Sequence, residues 1–180
     1  MVSDMKNIII RKTEETDAEQ YVKLHMKVWR SAYGHFMPEE IFTDNETKMN
    51  ERISNFRNRM GEIDYVATDG EKIIAFVVGK SISQYEHYEK LGYSELTGIY
   101  IDPDYQHIGL GKKLFDLIVS ELRKLGKTKM VIGVLKDNLQ ARKAYEKWGC
   151  ELDTYEKPFE KMGHVFPEVF YIFNLQKEQK

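Results

Sequence analysis

A glycine-containing loop between a predicted strand and a predicted helix constrains the fold of this chain more than any other stretch. Residues 95–101 have the pattern of a strand that stops at Asp102-Pro103-Asp104, and a helix with one apolar face begins at Gly109. A second apolar strand is predicted at residues 129–135. A strand, a helix and a strand in this order form a crossover, so the two strands are expected to be parallel neighbours.

The other patterns predict a mixed sheet covered by helices. Asp69-Gly70 lies between two apolar runs, which indicates an antiparallel hairpin. The run Ile8-Ile9-Ile10 is typical of a strand buried on both faces. Residues 81–93 are expected to be a loop or a strand extension. Further strands are predicted at residues 7–12, 63–68, 73–79, 151–155 and 165–175, and further helices at 17–34, 38–60 and 138–149.

Composition excludes several classes of protein. The 180 residues include 27 Lys+Arg and 29 Asp+Glu, a formal charge of −2, and 42% are hydrophobic. A chain like this is globular rather than disordered, and it lacks the charge excess of a nucleic-acid binder. The longest apolar runs are too short for a signal peptide or a membrane helix. The single cysteine, Cys150, forms no internal disulfide and is expected to be a small core residue. We therefore expect a cytoplasmic protein, monomeric or homodimeric, that binds neither nucleic acid nor membrane.

The loop itself has the composition of a phosphate-binding turn. Gly109 and Gly111 open the helix, where backbone N–H groups and the helix dipole favour an anion. The dinucleotide pattern fails because it needs a third glycine at Leu114. The phosphate loop of nucleotide hydrolases needs a glycine at Gln106 and Ser or Thr at Lys113, and it fails as well. A helix start that tolerates glycine and binds no ligand is the alternative.

Two spacings resemble a known family. The segment Ile101-x-Pro103-x-x-Gln106-x-x-Gly109-x-Gly111 resembles the acyl-CoA-binding signature of the GNAT N-acetyltransferase superfamily. Residue 106 is Gln where Arg is commoner in that signature, and Gln is an accepted variant. A second motif of the same superfamily resembles the residues Asn138, Ala141, Tyr145 and Gly149 at their spacing here.

The resemblance implies a fold and a cosubstrate. The fold is one N-acetyltransferase domain over residues 1–180, an α/β arrangement with a mostly antiparallel seven-stranded sheet and about four flanking helices. Its central parallel pair is splayed to admit CoA. Acetyl-CoA is the implied cosubstrate, with no metal. The residues implied to bind it are Ile99, Tyr100, Ile101, Gln106, His107, Ile108, Gly109, Leu110, Gly111, Lys112 and Asn138. Asn138 is equally expected to cap the helix that follows it.

Acetyl transfer to an amine requires a proton acceptor and a proton donor. Tyr145 is the predicted donor to the thiolate of CoA, and a plain core tyrosine is the alternative. Glu95 is the predicted base, directly or through a water, and a solvated carboxylate at the strand end is the alternative. Strand alternation places Glu95 and Thr97 on one face, and Gly98 predicts a bulge.

The acceptor side is predicted from aromatic and acidic residues near the first two helices. Trp29, Tyr33 and Glu39 are expected to bind a cationic amine, with ordinary packing as the alternative. The sequence thus predicts acetyl transfer from acetyl-CoA to a primary amine, a small molecule such as a polyamine or a peptide, by direct attack in a ternary complex. The alternatives are a protein N-terminal acetyltransferase and a catalytically silent CoA-binding regulatory module.

Overall fold

A computed structural model describes residues 7–177 of the chain, which form seven strands and seven α-helices. The strands are β1 (Ile8–Lys12), β2 (Ile63–Asp69), β3 (Lys72–Lys80), β4 (Ser94–Ile101), β5 (Lys129–Leu135), β6 (Glu151–Lys161) and β7 (His164–Asn174). The helices are α1 (Ala18–Tyr33), α2 (Glu39–Thr47), α3 (Met49–Ser54), α4 (Phe56–Arg59), α5 (Glu86–Lys90), α6 (Leu110–Lys124) and α7 (Leu139–Lys147). Short 3₁₀ turns cover Glu15–Asp17 and Pro103–Tyr105.

The strands form one sheet in the order β1-β2-β3-β4-β5-β7-β6. The pairs β1–β2, β5–β7 and β6–β7 are antiparallel, and β4 and β5 are parallel. The parallel register joins Ser94 to Met130 and Glu95 to Val131. β4 continues to Ile101 beyond these two pairs, and the splay that the family resemblance implies stays a prediction. The predicted α/β class with one crossover pair is confirmed.

The described residues group into two compact units. The first contains residues 7–78 and 99–115, and the second contains residues 79–98 and 116–177. The single domain predicted over residues 1–180 stays a prediction, and its residues 1–6 and 178–180 lie outside the described residues. In the first unit, one face of α1 packs on the sheet, where Leu24 contacts Val66, Ile73 and Phe76.

The second unit has an aromatic core that includes a helix missed by sequence analysis. Residues 81–93 are not simply a loop, because they contain the five-residue helix α5. Tyr88 of α5 is fully buried against Val131 of β5 and Phe170 of β7. A helix of little more than one turn has too few residues to show a periodicity, and this contact with the core stabilises it.

The predicted helix over residues 38–60 is three short helices, α2, α3 and α4. It breaks at Lys48 (φ −89°, ψ 6°) and Asn55 (φ −95°, ψ 13°), where the backbone leaves helical values. The core side chains Ile41, Phe42 and Phe56 are the anchors of this stretch. Apolar residues do not recur often enough to keep one straight helix against the core, so the segment bends between its buried anchors.

The remaining differences between the predicted and the observed strands lie at the two edges of the sheet. Ile9 is 63% exposed while Ile8 is buried, so β1 is not buried on both faces as predicted. As the outermost strand, β1 has only β2 beside it. At the opposite edge, β6 continues to Lys161 rather than ending at Tyr155, because it pairs with β7 along a long hairpin.

No helix among residues 7–177 is both long enough and apolar enough to cross a membrane.

Candidate active site

The predicted phosphate cradle is a turn with two left-handed residues. After β4, the carboxylate of Asp102 accepts the amide of Asp104 at 3.2 Å and caps the 3₁₀ turn. His107 (φ 63°) and Gly109 (φ 88°) then adopt left-handed backbone conformations, and α6 begins at Leu110. A Cβ added to Gly109 would meet no atom within 4 Å. The loop therefore leaves open space over the glycine, as a close approach by a phosphate requires.

The start of α6 has the electrostatics of an anion site. The first i→i−4 bond runs from the amide of Lys113 to the carbonyl of Gly109 at 3.2 Å. The amides of residues 110–112 precede it and have no acceptor within the helix. The first turn contains no acidic residue and carries Lys112. The first turn of α6 therefore contributes no carboxylate that would neutralise the positive end of the helix dipole.

Gln106 and Asp102 brace the loop against its own unit. The side-chain amide of Gln106 donates to the carbonyl of Ile101 at 3.2 Å. Asp102 is 1% exposed and pairs with Lys27 at 2.6 Å and Lys72 at 3.1 Å. Burial alone would raise the pKa of Asp102, but hydrogen bonds from Lys27, the amide of Asp104 and Lys72 outweigh it and hold that pKa below its usual value.

The last residues of β4 were predicted to meet the cosubstrate through their backbone. Ile99, Tyr100 and Ile101 lie past the two positions at which β4 pairs with β5. The ring of Tyr100 stacks on Phe76 at 4.5 Å, and burial raises the pKa of its hydroxyl. Its partly buried side chain therefore packs against the core of the first unit. The strand runs through Gly98 without interruption, and the bulge expected there stays a prediction.

Glu95 is buried rather than solvated. The residue is only 1% exposed, so the alternative of a solvated carboxylate at the strand end is wrong. The Ser83 hydroxyl donates to Oε2 at 2.9 Å and the Gln84 amide donates to the same oxygen at 2.8 Å. The hydroxyl of Thr97 donates to Oε1 at 3.2 Å, which confirms that both side chains share one face. A carboxylate accepts about four hydrogen bonds, so Oε1 can accept one more.

Tyr145 lies on α7 and is 6% exposed. Its ring centroid is 5.8 Å from that of Trp148 and 5.9 Å from that of Tyr171. The helix starts at Asn138, whose Oδ1 accepts the amide of Ala141 at 3.2 Å, so the predicted N-cap is confirmed. The packing of Tyr145 suits a core residue and an oriented phenol equally, and its donor role stays a prediction.

The predicted acceptor residues lie around the end of α1. The rings of Trp29 and Tyr33 meet edge to face at 5.0 Å, and Phe36 extends this contact from Tyr33 at 5.8 Å. Both carboxylate oxygens of Glu39 accept from Nη1 of Arg30, at 2.8 and 2.9 Å. A substrate cation at Glu39 would therefore share the carboxylate with Arg30.

The predicted residues divide between the two units. The acceptor residues, the end of β4 and the cradle belong to the first unit, and Glu95, Asn138 and Tyr145 belong to the second. Sequence reasoning missed Ser83, Gln84 and Tyr85, which lie close to the carboxylate of Glu95 or to its partners. It also missed Glu168, although one acid inside the otherwise apolar strand β7 was an available signal.

The described residues give little support to a reactive cysteine or to a metal site. Cys150 is 6% exposed, and burial raises the pKa of its thiol to about 12, so it is protonated near neutral pH. It is the small core residue that was predicted. Within residues 7–177, no group of three or more His, Cys, Asp or Glu side chains could hold a metal ion.

Comparison with known proteins places the chain in a family. Residues 26–150 match the model described as "Acetyltransferase (GNAT) family". The chain is 30% identical over 106 residues to the [ribosomal protein bS18]-alanine N-acetyltransferase of Escherichia coli K12, a match covering 58% of this chain and 66% of that enzyme. It is 27% identical over 82 residues to the spermine/spermidine N(1)-acetyltransferase of Bacillus subtilis 168, covering 45% and 54%. It thus spans less than two thirds of the length of either relative.

A solved structure agrees in fold. The PaiA N-acetyltransferase of Thermoplasma acidophilum in complex with coenzyme A superposes with a TM-score of 0.65 at 22% identity, over 90% of this chain and 97% of that one. The family model covers well over half of the sequence. The chain belongs to the acetyltransferase (GNAT) family.

Proposed function

We propose that this protein transfers the acetyl group of acetyl-CoA to a primary amine by direct attack in a ternary complex. Membership of the acetyltransferase family supports the reaction class. The observation that carries the proposal is the start of α6, where Gly109 has φ 88° with open space above it and no acid stands in the first turn. These features suit a pyrophosphate group, which needs close backbone approach and positive potential.

Acetyl-CoA supplies the activated acetyl group, and this chain's residues bind and orient it. In the proposal, the loop from Gln106 to Lys112 holds the pyrophosphate, and the backbone of Ile99–Ile101 binds the pantetheine arm. Asn138 contributes through its amide nitrogen, because its oxygen accepts the amide of Ala141. The coenzyme A in the structurally similar Thermoplasma protein supports this assignment.

The transfer moves two protons. A primary amine with a pKa near 10.4 is only about 10⁻³ neutral at pH 7, a cost of about 4 kcal/mol. The ammonium loses its first proton to solvent, and Glu95 accepts the second at Oε1, directly or through a water, as the neutral amine attacks and the new N–C bond forms. The C–S bond breaks, and Tyr145 donates its phenolic proton to the departing thiolate. Burial of Glu95 and three fixed donors keep its carboxylate in one orientation.

The acceptor in the proposal is a small cationic amine such as a polyamine. Aromatic faces at Trp29 and Tyr33 and the carboxylate of Glu39 suit a positive charge, and the Bacillus relative is named for spermine and spermidine. A second candidate is the N-terminal amine of a protein, because the Escherichia coli relative is named for a ribosomal-protein alanine. The cytoplasmic location and the monomer or homodimer state stay predictions.

Two measurements test the proposal. Acetyl-CoA at about 100 times its Kd is expected to stabilise the protein by about 2.7 kcal/mol. For a chain of this length that is a rise in Tm of roughly 5–11 °C. Thiol release is then followed with spermidine, spermine and a peptide beginning with alanine. No rise in Tm would refute every CoA-based function, and a rise without thiol release from any amine would leave a regulatory CoA-binding module.

A further inference from the structure

Glu168 is a second buried carboxylate in the unit that contains Glu95. The hydroxyl of Tyr85 donates to Oε1 of Glu168 at 2.9 Å. The amide of Tyr85 donates to the hydroxyl oxygen of Ser83 at 3.2 Å, and that hydroxyl donates to Oε2 of Glu95 at 2.9 Å. A line of contacts therefore leads from Glu168 on β7 to Glu95 on β4, with hydrogen bonds at both ends and the covalent frame of Tyr85 between its hydroxyl and its amide.

A glycine makes this line possible. In the sheet, β5 lies between β4 and β7, and Gly133 stands on β5 where Tyr85 reaches Glu168. A Cβ added to Gly133 would collide with the Tyr85 hydroxyl and lie 2.9 Å from Oε1 of Glu168. Any other residue at position 133 would thus displace the phenol or the carboxylate.

Tyr85 and Glu168 form a polar pair in a mostly buried position. Glu168 is 9% exposed. Burial raises the pKa of Glu168, as does the charge of Glu95, while the hydrogen bond from Tyr85 and the charge of Lys157 lower it. Burial and the carboxylate of Glu168 also raise the pKa of Tyr85, so the phenol remains a donor at every working pH. Buried polar pairs seldom add stability over an apolar replacement, which directs attention to what the pair holds in place.

We propose that Tyr85 and Glu168 are positioning residues for Glu95. Their hydrogen bond fixes the segment Ser83–Tyr85, whose Ser83 hydroxyl and Gln84 amide both bind Oε2 of Glu95. Because two donors hold Oε2, Oε1 is the oxygen that accepts the amine proton in the proposed reaction. The inference rests on the proposed function, in which Glu95 is the base.

The experiment measures kcat and KM for thiol release in variants of the whole chain, with the acceptor found in the amine panel. Tyr85→Phe removes the donor to Glu168, and Ser83→Ala removes a donor to Glu95. Misplacement of a reacting group by about 1 Å costs about 10²-fold in rate. We expect kcat to fall about that far in both variants, with KM for both substrates within about twofold.

Two variants of Glu168 distinguish the role of its hydrogen bond from the role of its charge. Glu168→Gln keeps an acceptor for the Tyr85 hydroxyl and is expected to keep kcat within a few-fold, whereas Glu168→Leu is expected to behave like Tyr85→Phe. The matched control is Tyr88→Phe, which removes a similar buried hydrogen bond, 2.8 Å from the Tyr88 hydroxyl to Asp153. That hydroxyl has no part in the line to Glu95, so the control is expected to lower Tm and leave kcat unchanged.

The outcomes separate the two proposals. Unchanged kcat in folded Tyr85→Phe and Ser83→Ala, beside an inactive Glu95→Gln, overturns the positioning role alone. A Glu168→Gln variant with raised KM for the amine and normal kcat also overturns it, because Glu168 would then act as a charge on the acceptor. Full activity in Glu95→Gln instead overturns the base role in the proposed function. If Tyr85→Phe does not fold, the Glu168 variants decide, because equal kcat in Glu168→Leu and Glu168→Gln would overturn the positioning role.

Discussion

The carboxylate of Asp102 lies 2.6 Å from the ammonium nitrogen of Lys27, and the aspartate is buried while the lysine is half exposed. Lys72 approaches the other carboxylate oxygen at 3.1 Å. Asp102 follows the last residue of β4 and precedes the turn that leads to the cradle. Side chains from α1 and β3 therefore anchor the point at which the candidate phosphate loop leaves the sheet.

Removing this charge is expected to destabilise the fold. Asp102→Asn replaces the carboxylate with a weaker acceptor and leaves two lysines without their charge partner, so we expect the free energy of unfolding to fall by about 1–3 kcal/mol. Asp104→Asn is the matched control, since Asp104 also pairs with Lys27, at 3.2 Å, but is 75% exposed. Exposed pairs contribute about 0–1 kcal/mol. Denaturant unfolding at pH 7 measures both, and equal losses would contradict the anchoring role.

The same carboxylate predicts how stability depends on pH. Its pKa is lower in the folded state than the ordinary value of about 3.9, so the unfolded chain binds the proton more readily. Its contribution is therefore fully present above about pH 4–5 and is lost as the pH falls through the folded pKa. Unfolding titrations between pH 6 and pH 2 are expected to show a steeper loss for the wild type than for Asp102→Asn. Parallel curves would show that another group dominates.

Sequence patterns predicted the elements that carry long apolar periodicity. The face of α6 that contains Leu114 and Ile118 is fully buried, and β4, β5 and the crossover were predicted almost to the residue. Sequence patterns failed where tertiary contacts determine the local structure, as in α5, which is stabilised by the burial of Tyr88. They also failed for the surroundings of Glu95, because Ser83 lies 12 residues earlier, in the segment before α5, and Glu168 on another strand, and the two come together only when the sheet forms.

The cradle glycine offers a test of cosubstrate binding. Gly109→Ala forces a side chain into a left-handed conformation, where Gly109 has φ 88°, at a cost of about 1 kcal/mol. Gly70 is the matched control, with φ 57° and no atom within 4 Å of an added Cβ. We expect similar losses of Tm in the two alanine variants. Only Gly109→Ala is expected to lose the rise in Tm on adding acetyl-CoA, and an equal rise in both would remove the glycine from the binding site.

The donor role of Tyr145 is tested by deleting its hydroxyl. We expect Tyr145→Phe to lower kcat by about 10²–10⁴-fold, the usual contribution of general acid catalysis, with KM for acetyl-CoA little changed. Tyr171→Phe is the control, because the Tyr171 hydroxyl donates to Glu146 at 2.6 Å and the ring lies beside Tyr145. That variant is expected to lose stability and keep its kcat. Unchanged turnover in Tyr145→Phe would leave it as a core tyrosine.

The predicted binding site for the amine acceptor is tested by variants of two glutamates that pair with the same arginine. Nη1 of Arg30 binds Glu39 and Nη2 binds Glu46 at 2.8 Å, and both acids are more than half exposed. Their structural contributions are therefore alike and small. If Glu39 also attracts the cationic amine, Glu39→Gln raises KM for that amine at constant kcat, as expected for binding energy shared by ground state and transition state. Glu46→Gln is expected to leave both constants unchanged. An equal rise of KM in the two variants would assign the effect to Arg30 or to the general charge of this surface rather than to Glu39.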